Sequence, residues 1–407
     1  MLALIVNQFP RQVDAYFLRE LAGLAERGLD FEIYSLLPPP RGWKVHAQAQ
    51  PLLARTVYPP ALGSLAAGAG RTALTRPLAT TRALAKIAWG HRAMPAALAK
   101  SLAIVPQSLA FAERMRSRGV RHIHANWATY PATAALVISR LTGIPYSFSG
   151  HATDIFVHRA MLAEKIAAAR FVITCTEYNR GYLAGVAASQ AAHIRTVYHG
   201  VDLARFERNG VPRARDLVLA VGTLRACKGF EELVQAIAIL RDRGRTIRLE
   251  IVGEGEDRGK LETLIQSLRL DDRVRLVGYI PQEDLIPAYR RATVVALPAH
   301  LEDHFGIPNI LIEGLAAGTP VVCTELPSLG ELVEHEKSGL FVPERDPLAL
   351  ADALARLIDQ PELAGALAAE GHRRVASKFD MRRTVGELAA IFDRATRDGE
   401  LRDGTRP

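Results

Sequence analysis

Several things are scarce in this sequence, and each scarcity closes off a class of protein. Between Glu32 and Glu113 there is no acidic residue, although Arg41, Lys44, Arg55, Arg71, Arg76, Arg82, Lys86, Arg92 and Lys100 all fall in that stretch. Cysteine is nearly missing. Cys175, Cys227 and Cys323 are scattered, odd in number and without metal-ligand spacing, which predicts reduced thiols in the cytoplasm and excludes a disulfide scaffold. No apolar run approaches the roughly 18 residues that cross a bilayer. The opening Met1-Leu-Ala-Leu-Ile-Val6 is short, lacks a basic lead and runs into Asn7-Gln8, so it reads as a first strand and not as a signal peptide. Aromatics make up only 6% of the chain, and no aromatic ladder or nucleic-acid motif accompanies the positive charge, so nucleic acid is not expected as a partner. No Asp-x-Asp metal motif is present, so protein side chains must supply the cations for any anionic ligand; neither metal nor cofactor is expected.

What remains is the composition of a globular α/β protein: 407 residues, 49% hydrophobic, 23% charged, net charge +8. That length predicts two to three domains. Strands alternate with helices twice over, which predicts two doubly wound sheets with ligands at the carboxyl ends of their strands. The polar segment Glu207–Arg215, with Gly210 and Pro212, reads as the boundary. The expected division is a first domain over 1–208, a second over 213–380, and a last amphipathic helix and tail over 381–407. The alanine-rich stretch at about 41–118 reads as a helical insertion in the first domain. Its segment Arg71–Lys100 interleaves Leu74, Leu78, Leu84, Ile87, Trp89, Met94 and Leu98 with basic residues, as a basic surface helix would. Contact with an anionic membrane surface is the expectation; a solvated face or an acidic partner are the alternatives.

Three stretches carry chemistry. After the strand Leu217–Val221 comes Gly222-Thr-Leu-Arg225-Ala-Cys-Lys228-Gly229, a loop with two cations at the start of a helix, suited to a diphosphate leaving group. After the strand Thr293–Leu297 a polar loop leads to Ile310, Leu311, Glu313, Gly314 and Ala317 at helical spacing, with Glu313 placed to accept ribose hydroxyls. After Ile144–Ser149 comes Gly150-His151-Ala-Thr-Asp154, a histidine and an acid on the loop following a parallel strand, fit for a sugar hydroxyl or a proton. The Gly253-x-Gly255 turn lacks the third glycine of a dinucleotide fingerprint, because Arg258 takes its place. His122 and His124 read as packing or lining residues, Thr176 as a helix cap, and Glu331–Val342 as a helix and strand.

The run Gly306-Ile-Pro-Asn309-Ile310-Leu-Ile-Glu313-Gly-Leu-Ala-Ala-Gly318-Thr-Pro-Val-Val322 resembles the donor-site signature of retaining nucleotide-sugar glycosyltransferases of family 4, of the two-domain GT-B type. The likeness runs from Phe9 to about Phe392, and the opening is similar to a branch linked to exopolysaccharide (colanic-acid-type) synthesis. The resemblance implies two Rossmann-like domains facing across a cleft, with the last helix crossing back to the first. It implies a donor site of Gly222, Thr223, Arg225, Lys228, Gly253, Tyr279, Ile280, Asp303, Phe305, Gly306, Asn309, Ile310 and Glu313, with Tyr279 and Ile280 beside the base. The first of the family's two acidic positions falls on Phe305, with Asp303 and Glu302 just upstream as substitutes. The family's arginine position is Thr223, leaving Arg225 to reach in. His151, Asp154 and Lys228 are the implied catalytic residues, and Asp14, Tyr16 and His151 the acceptor side. The expected reaction is transfer of a sugar from a nucleotide-sugar to a lipid-linked or saccharide acceptor on the inner membrane face. A sugar-nucleotide epimerase or a non-catalytic partner subunit is the alternative.

Overall fold

In a computed structural model the described residues are 1–10, 15–39, 49–92, 94–206, 212–281, 284–303 and 306–397. The chain divides into two compact units, one of Met1–Tyr198 with the chain from Thr384, the other of His199–Arg383. The division falls before the polar segment at 207–215, part of which lies outside the described residues.

The first unit holds β1 (Leu2–Gln8), β2 (Phe31–Leu37), β3 (Thr56–Val57), β4 (His122–Asn126), β5 (Tyr146–Gly150), β6 (Val172–Thr174) and β7 (Ile194–Thr196). They form one parallel sheet in the order β3-β2-β1-β4-β5-β6-β7. The second unit holds β8 (Leu217–Val221), β9 (Arg248–Val252), β10 (Val274–Gly278), β11 (Val294–Leu297), β12 (Val321–Thr324) and β13 (Leu340–Val342). Its parallel order is β10-β9-β8-β11-β12-β13. Strands covered by helices on both faces need apolar residues at every position, and Leu2–Val6 and Val294–Leu297 are accordingly buried throughout. Both sheets are Rossmann-like, as expected. In each, the chain returns to the far side of its starting strand, so the loops after β1 and β4, and after β8 and β11, open from neighbouring strands. Such a reversal point is where a doubly wound sheet leaves a crevice for ligand.

Three expectations need correction. The stretch at 41–118 is not all helix, because Thr56–Val57 joins the sheet beside β2. Nor is Arg71–Lys100 one helix. It spans the end of Leu62–Thr75, all of Pro77–Gly90 and most of Pro95–Ala103, because proline at the first position of each later helix cannot continue the one before. Likewise Glu331 ends a single short turn. Glu336 takes a left-handed φ of 59°, and Ser338 Oγ accepts the Glu334 N–H at 2.7 Å, so the segment folds as a turn before β13.

The last helix, Met381–Arg397, buries Val385, Leu388, Ile391, Phe392 and Ala395 along one stripe. Val385 fills the space beside Gly23, the Phe392 ring lies 4.8 Å from that of His124, and Arg170 Nη1 donates to the Ala395 carbonyl at 3.0 Å. All these partners belong to the first unit.

Candidate active site

In the second unit the Lys228 turn follows β8. Ala226–Lys228 form one 3-10 turn, and Gly229 starts the helix Phe230–Asp242 at a φ of 68°. A Cβ on Gly229 would overlap the carbonyl oxygen of Pro298, which ends the run from β11; only glycine permits this approach. The same two loops are joined again where His300 N–H donates to the Cys227 carbonyl at 2.9 Å, and where His300 Nε2 meets Glu232 Oε1 at 3.0 Å. The stem of Lys228 lies over Gly222, its Cδ and Cε 3.8 Å from where a Cβ would stand.

Helix Asn309–Ala316 starts after Pro308, and Gly314 seats it on Val295 of β11. Glu313, one turn in, is buried at 2% exposure. A carboxylate placed so deep requires fixed hydrogen-bond donors in place of bulk water. Gly306 is tied to the loop after β12 through Ser328 Oγ, which donates to its carbonyl at 3.1 Å. Asn309 is half-buried and Ile310 buried at the same helix start. Thus Lys228, Gly222, Gly306, Asn309, Ile310 and Glu313 are brought to the loops and helix start that follow two neighbouring strands.

The remaining donor candidates sit around this core. Gly253, at a φ of 147°, is pressed on the Gly222 carbonyl, and its N–H donates to Gly278. Tyr279, 60% exposed, and half-buried Ile280 follow β10 at the same sheet end. Thr223 is exposed. Arg225 is turned to Glu256, its Nε 3.3 Å from Oε1, in an exposed pair. Phe305 lies outside the described residues. Of Asp303 only the backbone is described, at the end of the short turn Leu301–Asp303.

In the first unit Tyr16, Trp127 and His151 gather at the carboxyl ends of β1, β4 and β5. The Tyr16 and His151 rings are 5.7 Å apart, and the Trp127 and His151 rings 6.4 Å. Asp14 lies outside the described residues. Asp154 corrects the expectation that it faces the sugar. It is buried at 5% exposure, Oδ1 accepts the N–H groups of His151 (3.0 Å) and Ala152 (2.9 Å), and Oδ2 accepts that of Ala128 (2.9 Å). Asp154 therefore acts through the backbone that carries His151.

Sequence reasoning missed three supports of this loop. Lys165, fully buried, donates from Nζ to the carbonyls of Ala128 (2.7 Å) and Thr129 (3.1 Å), so the Ala128 peptide is gripped on both sides. Burial pushes its amine down to about 7, against the opposing pull of Asp154 and Glu164. Asn179 Nδ2 donates to the His151 carbonyl, and its own N–H is capped by Thr176 Oγ1 at 3.0 Å. Trp127 holds a φ of 84°, a costly conformation for a bulky residue that only a rigid surround keeps. Their one signal in the sequence is position, since they flank strands whose loops carry candidate site residues. His122 and His124 are packing residues. They share Ser147 Oγ at 2.7 and 2.8 Å and lie along Phe171, and burial pushes both imidazoles down, His122 to about 3.

Two family models match the chain: one described as Glycosyltransferase Family 4 over residues 15–205, the other as Glycosyl transferases group 1 over residues 203–374. A D-inositol 3-phosphate glycosyltransferase of Frankia alni is 32% identical over 274 residues, covering 60% of this chain and 67% of that protein. The amylovoran biosynthesis glycosyltransferase AmsK of Erwinia amylovora is 33% identical over 180 residues, covering 44% of each. The chain spans about half the length of several curated relatives it matches. HepE of Anabaena, solved in complex with UDP, shares the fold with a TM-score of 0.71 at 16% identity, over 97% of this chain and 100% of that one. With both family models in succession along it and a relative matched over two thirds of its length, this chain belongs to the family 4 glycosyltransferases.

Proposed function

We propose that this protein is a retaining, metal-independent hexosyltransferase that moves a sugar from a nucleotide-sugar to a lipid-linked or saccharide acceptor in cell-surface polysaccharide synthesis. The observation that carries the proposal is the joining of the Lys228 turn to the loop after β11, which leads into the Glu313 helix. Lys228 neutralises the departing diphosphate, Arg225 leaves Glu256 to assist it, and Glu313 accepts the ribose hydroxyls. The bond from C1 to the phosphate oxygen breaks as the bond from C1 to the acceptor oxygen forms on the same face of the sugar. The acceptor's proton passes to the departing phosphate oxygen. His151, with Tyr16 and Asp14 on the acceptor side, directs hydroxyls, and Asp154 sets the His151 backbone. Support for the donor class comes from HepE, solved with UDP and with UDP-glucose; support for the pathway class comes from the amylovoran enzyme.

No helix among the described residues is long and apolar enough to cross a membrane. The protein works on the inner membrane face, held by the basic segment 71–100. The test is a nucleotide-sugar panel with a membrane extract in the presence of EDTA. Sugar transfer with the anomeric configuration kept supports the proposal. Inverted product removes retention, dependence on added metal removes metal independence, and isomerised nucleotide-sugar without transfer removes the transferase reading.

A further inference from the structure

The helix Pro77–Gly90 is pinned to the first unit near both ends. Arg76 Nη1 donates to the Leu141 carbonyl, and Gly90 sits against Met161, where a Cβ would overlap the thioether chain. Between the pins Ala79 and Ala83 present only methyl groups beside the buried Ile87, and a cavity of about 180 Å³ remains against helix Tyr130–Thr142. Arg82, Lys86 and Arg140 stand around it over an apolar floor that includes Ala83, Leu136 and Met161. None of the three cations has an ion pair among the described residues, and Arg82 and Lys86 lie in the stretch between Glu32 and Glu113 that holds no acid. Three positive charges around one hollow, Arg82 and Arg140 exposed and Lys86 half-buried, suit an anion with several oxygen acceptors. The volume is below the roughly 300 Å³ at which pockets for larger ligands begin. A phosphate group fits within it, and any larger ligand must extend outside.

The surroundings identify the source of the phosphate. Leu78 and Trp89 are 71% and 70% exposed, and with Arg82 they share one side of the helix, at positions i, i+11 and i+4. Leu74, at the end of the preceding helix, is 84% exposed. Trp89 stacks under the Arg92 guanidinium at 4.5 Å, an aromatic and cation pairing suited to a membrane interface. Large apolar side chains beside a cationic hollow match a molecule whose phosphate is joined to hydrocarbon. The geometry points to a headgroup site for an anionic phospholipid, with the phosphate among Arg82, Lys86 and Arg140 and the Leu78 and Trp89 side chains in the interface beside it. This site rests on the membrane-surface part of the proposed function and is independent of the transfer chemistry.

Flotation of the full chain with phosphatidylglycerol-containing vesicles and with phosphatidylcholine vesicles tests it. Wild type should float with the former only. The variant R82A/K86A/R140A should bind about a hundredfold more weakly, and R71A/R92A/K100A, which loses the same charge outside the hollow, clearly less so. Ala83→Phe, which fills the hollow without altering charge, should lose the preference for phosphatidylglycerol. Unchanged melting temperatures establish that each variant is folded. Equal losses in the two triple variants, or wild-type preference in Ala83→Phe, would overturn the headgroup site and leave a diffuse basic surface. If wild type floats with neither vesicle, the membrane reading falls too, while nucleotide binding by the second unit stands apart. If soluble glycerol phosphate raises the melting temperature and vesicles are not bound, the hollow takes a free phosphate ester and the lipid assignment is wrong.

Discussion

The two units present their chemistry on the same sheet topology but fix it by different means. In the second unit the Lys228 turn is shaped by backbone: Gly229 approaches the Pro298 carbonyl, Gly253 approaches that of Gly222, and His300 bonds the main chain at Cys227. The side chains proposed to meet the donor are additions to a turn whose backbone contacts do not involve them. In the first unit the His151 loop is held by buried polar side chains, Asp154, Lys165 and Asn179, none of which needs to meet substrate. Removing chemistry should therefore leave the second unit folded, whereas the first unit should lose stability when its supports are removed.

The largest effect is expected at Lys228. Lys228→Ala should lower transfer by about a hundredfold or more, since it removes charge stabilisation of the leaving group. Its melting temperature should stay near wild type; a large fall would erase the contrast between the units. Asp154→Ala, by contrast, strands three backbone N–H donors and should cost about 3 kcal/mol or more in denaturant unfolding. Nucleoside diphosphate binding by the folded fraction should be unaffected. Full stability in this variant would show that the first-unit loop is set by something else.

A pH series sharpens the same point. The Lys165 amine lies near 7 in the fold and at 10.5 ordinarily, so between those values the unfolded chain binds the extra proton. Stability should then rise with pH from about 7 towards 10.5, the burial cost being fully present below 7 and absent above 10.5. Lys165→Met should flatten that rise; an identical slope in the two proteins would contradict a buried, depressed amine. The smallest effect is expected at Arg225, whose pair with Glu256 is exposed. Arg225→Ala should change stability by less than about 1 kcal/mol and weaken donor binding far less than Lys228→Ala; an equal loss would make Arg225 a full partner at the diphosphate.

The same contrast explains what could be read in advance. Alternation of buried strands with helices gave both sheets, and Gly306–Val322 marked the second site because its strand, loop and helix are consecutive in the chain. The supports of the first site are not consecutive. Lys165 lies in an alanine-rich helix with nothing to mark its amine as buried, and Asn179 reaches back to His151 from the helix after β6. Spacing picks out Asp154 but does not reveal which way its carboxylate turns. The apolar periodicity of Arg71–Lys100 predicts one helix, but Pro77 and Pro95 divide it.

The proposal that Lys228 and Glu313 serve one activated-sugar pocket is tested most directly by calorimetric titration of nucleoside diphosphates and the matching nucleosides. Lys228→Ala should lose affinity for the diphosphate while binding of the nucleoside is kept, and Glu313→Ala should lose affinity for both. Wild-type diphosphate affinity in either folded variant would contradict the shared pocket.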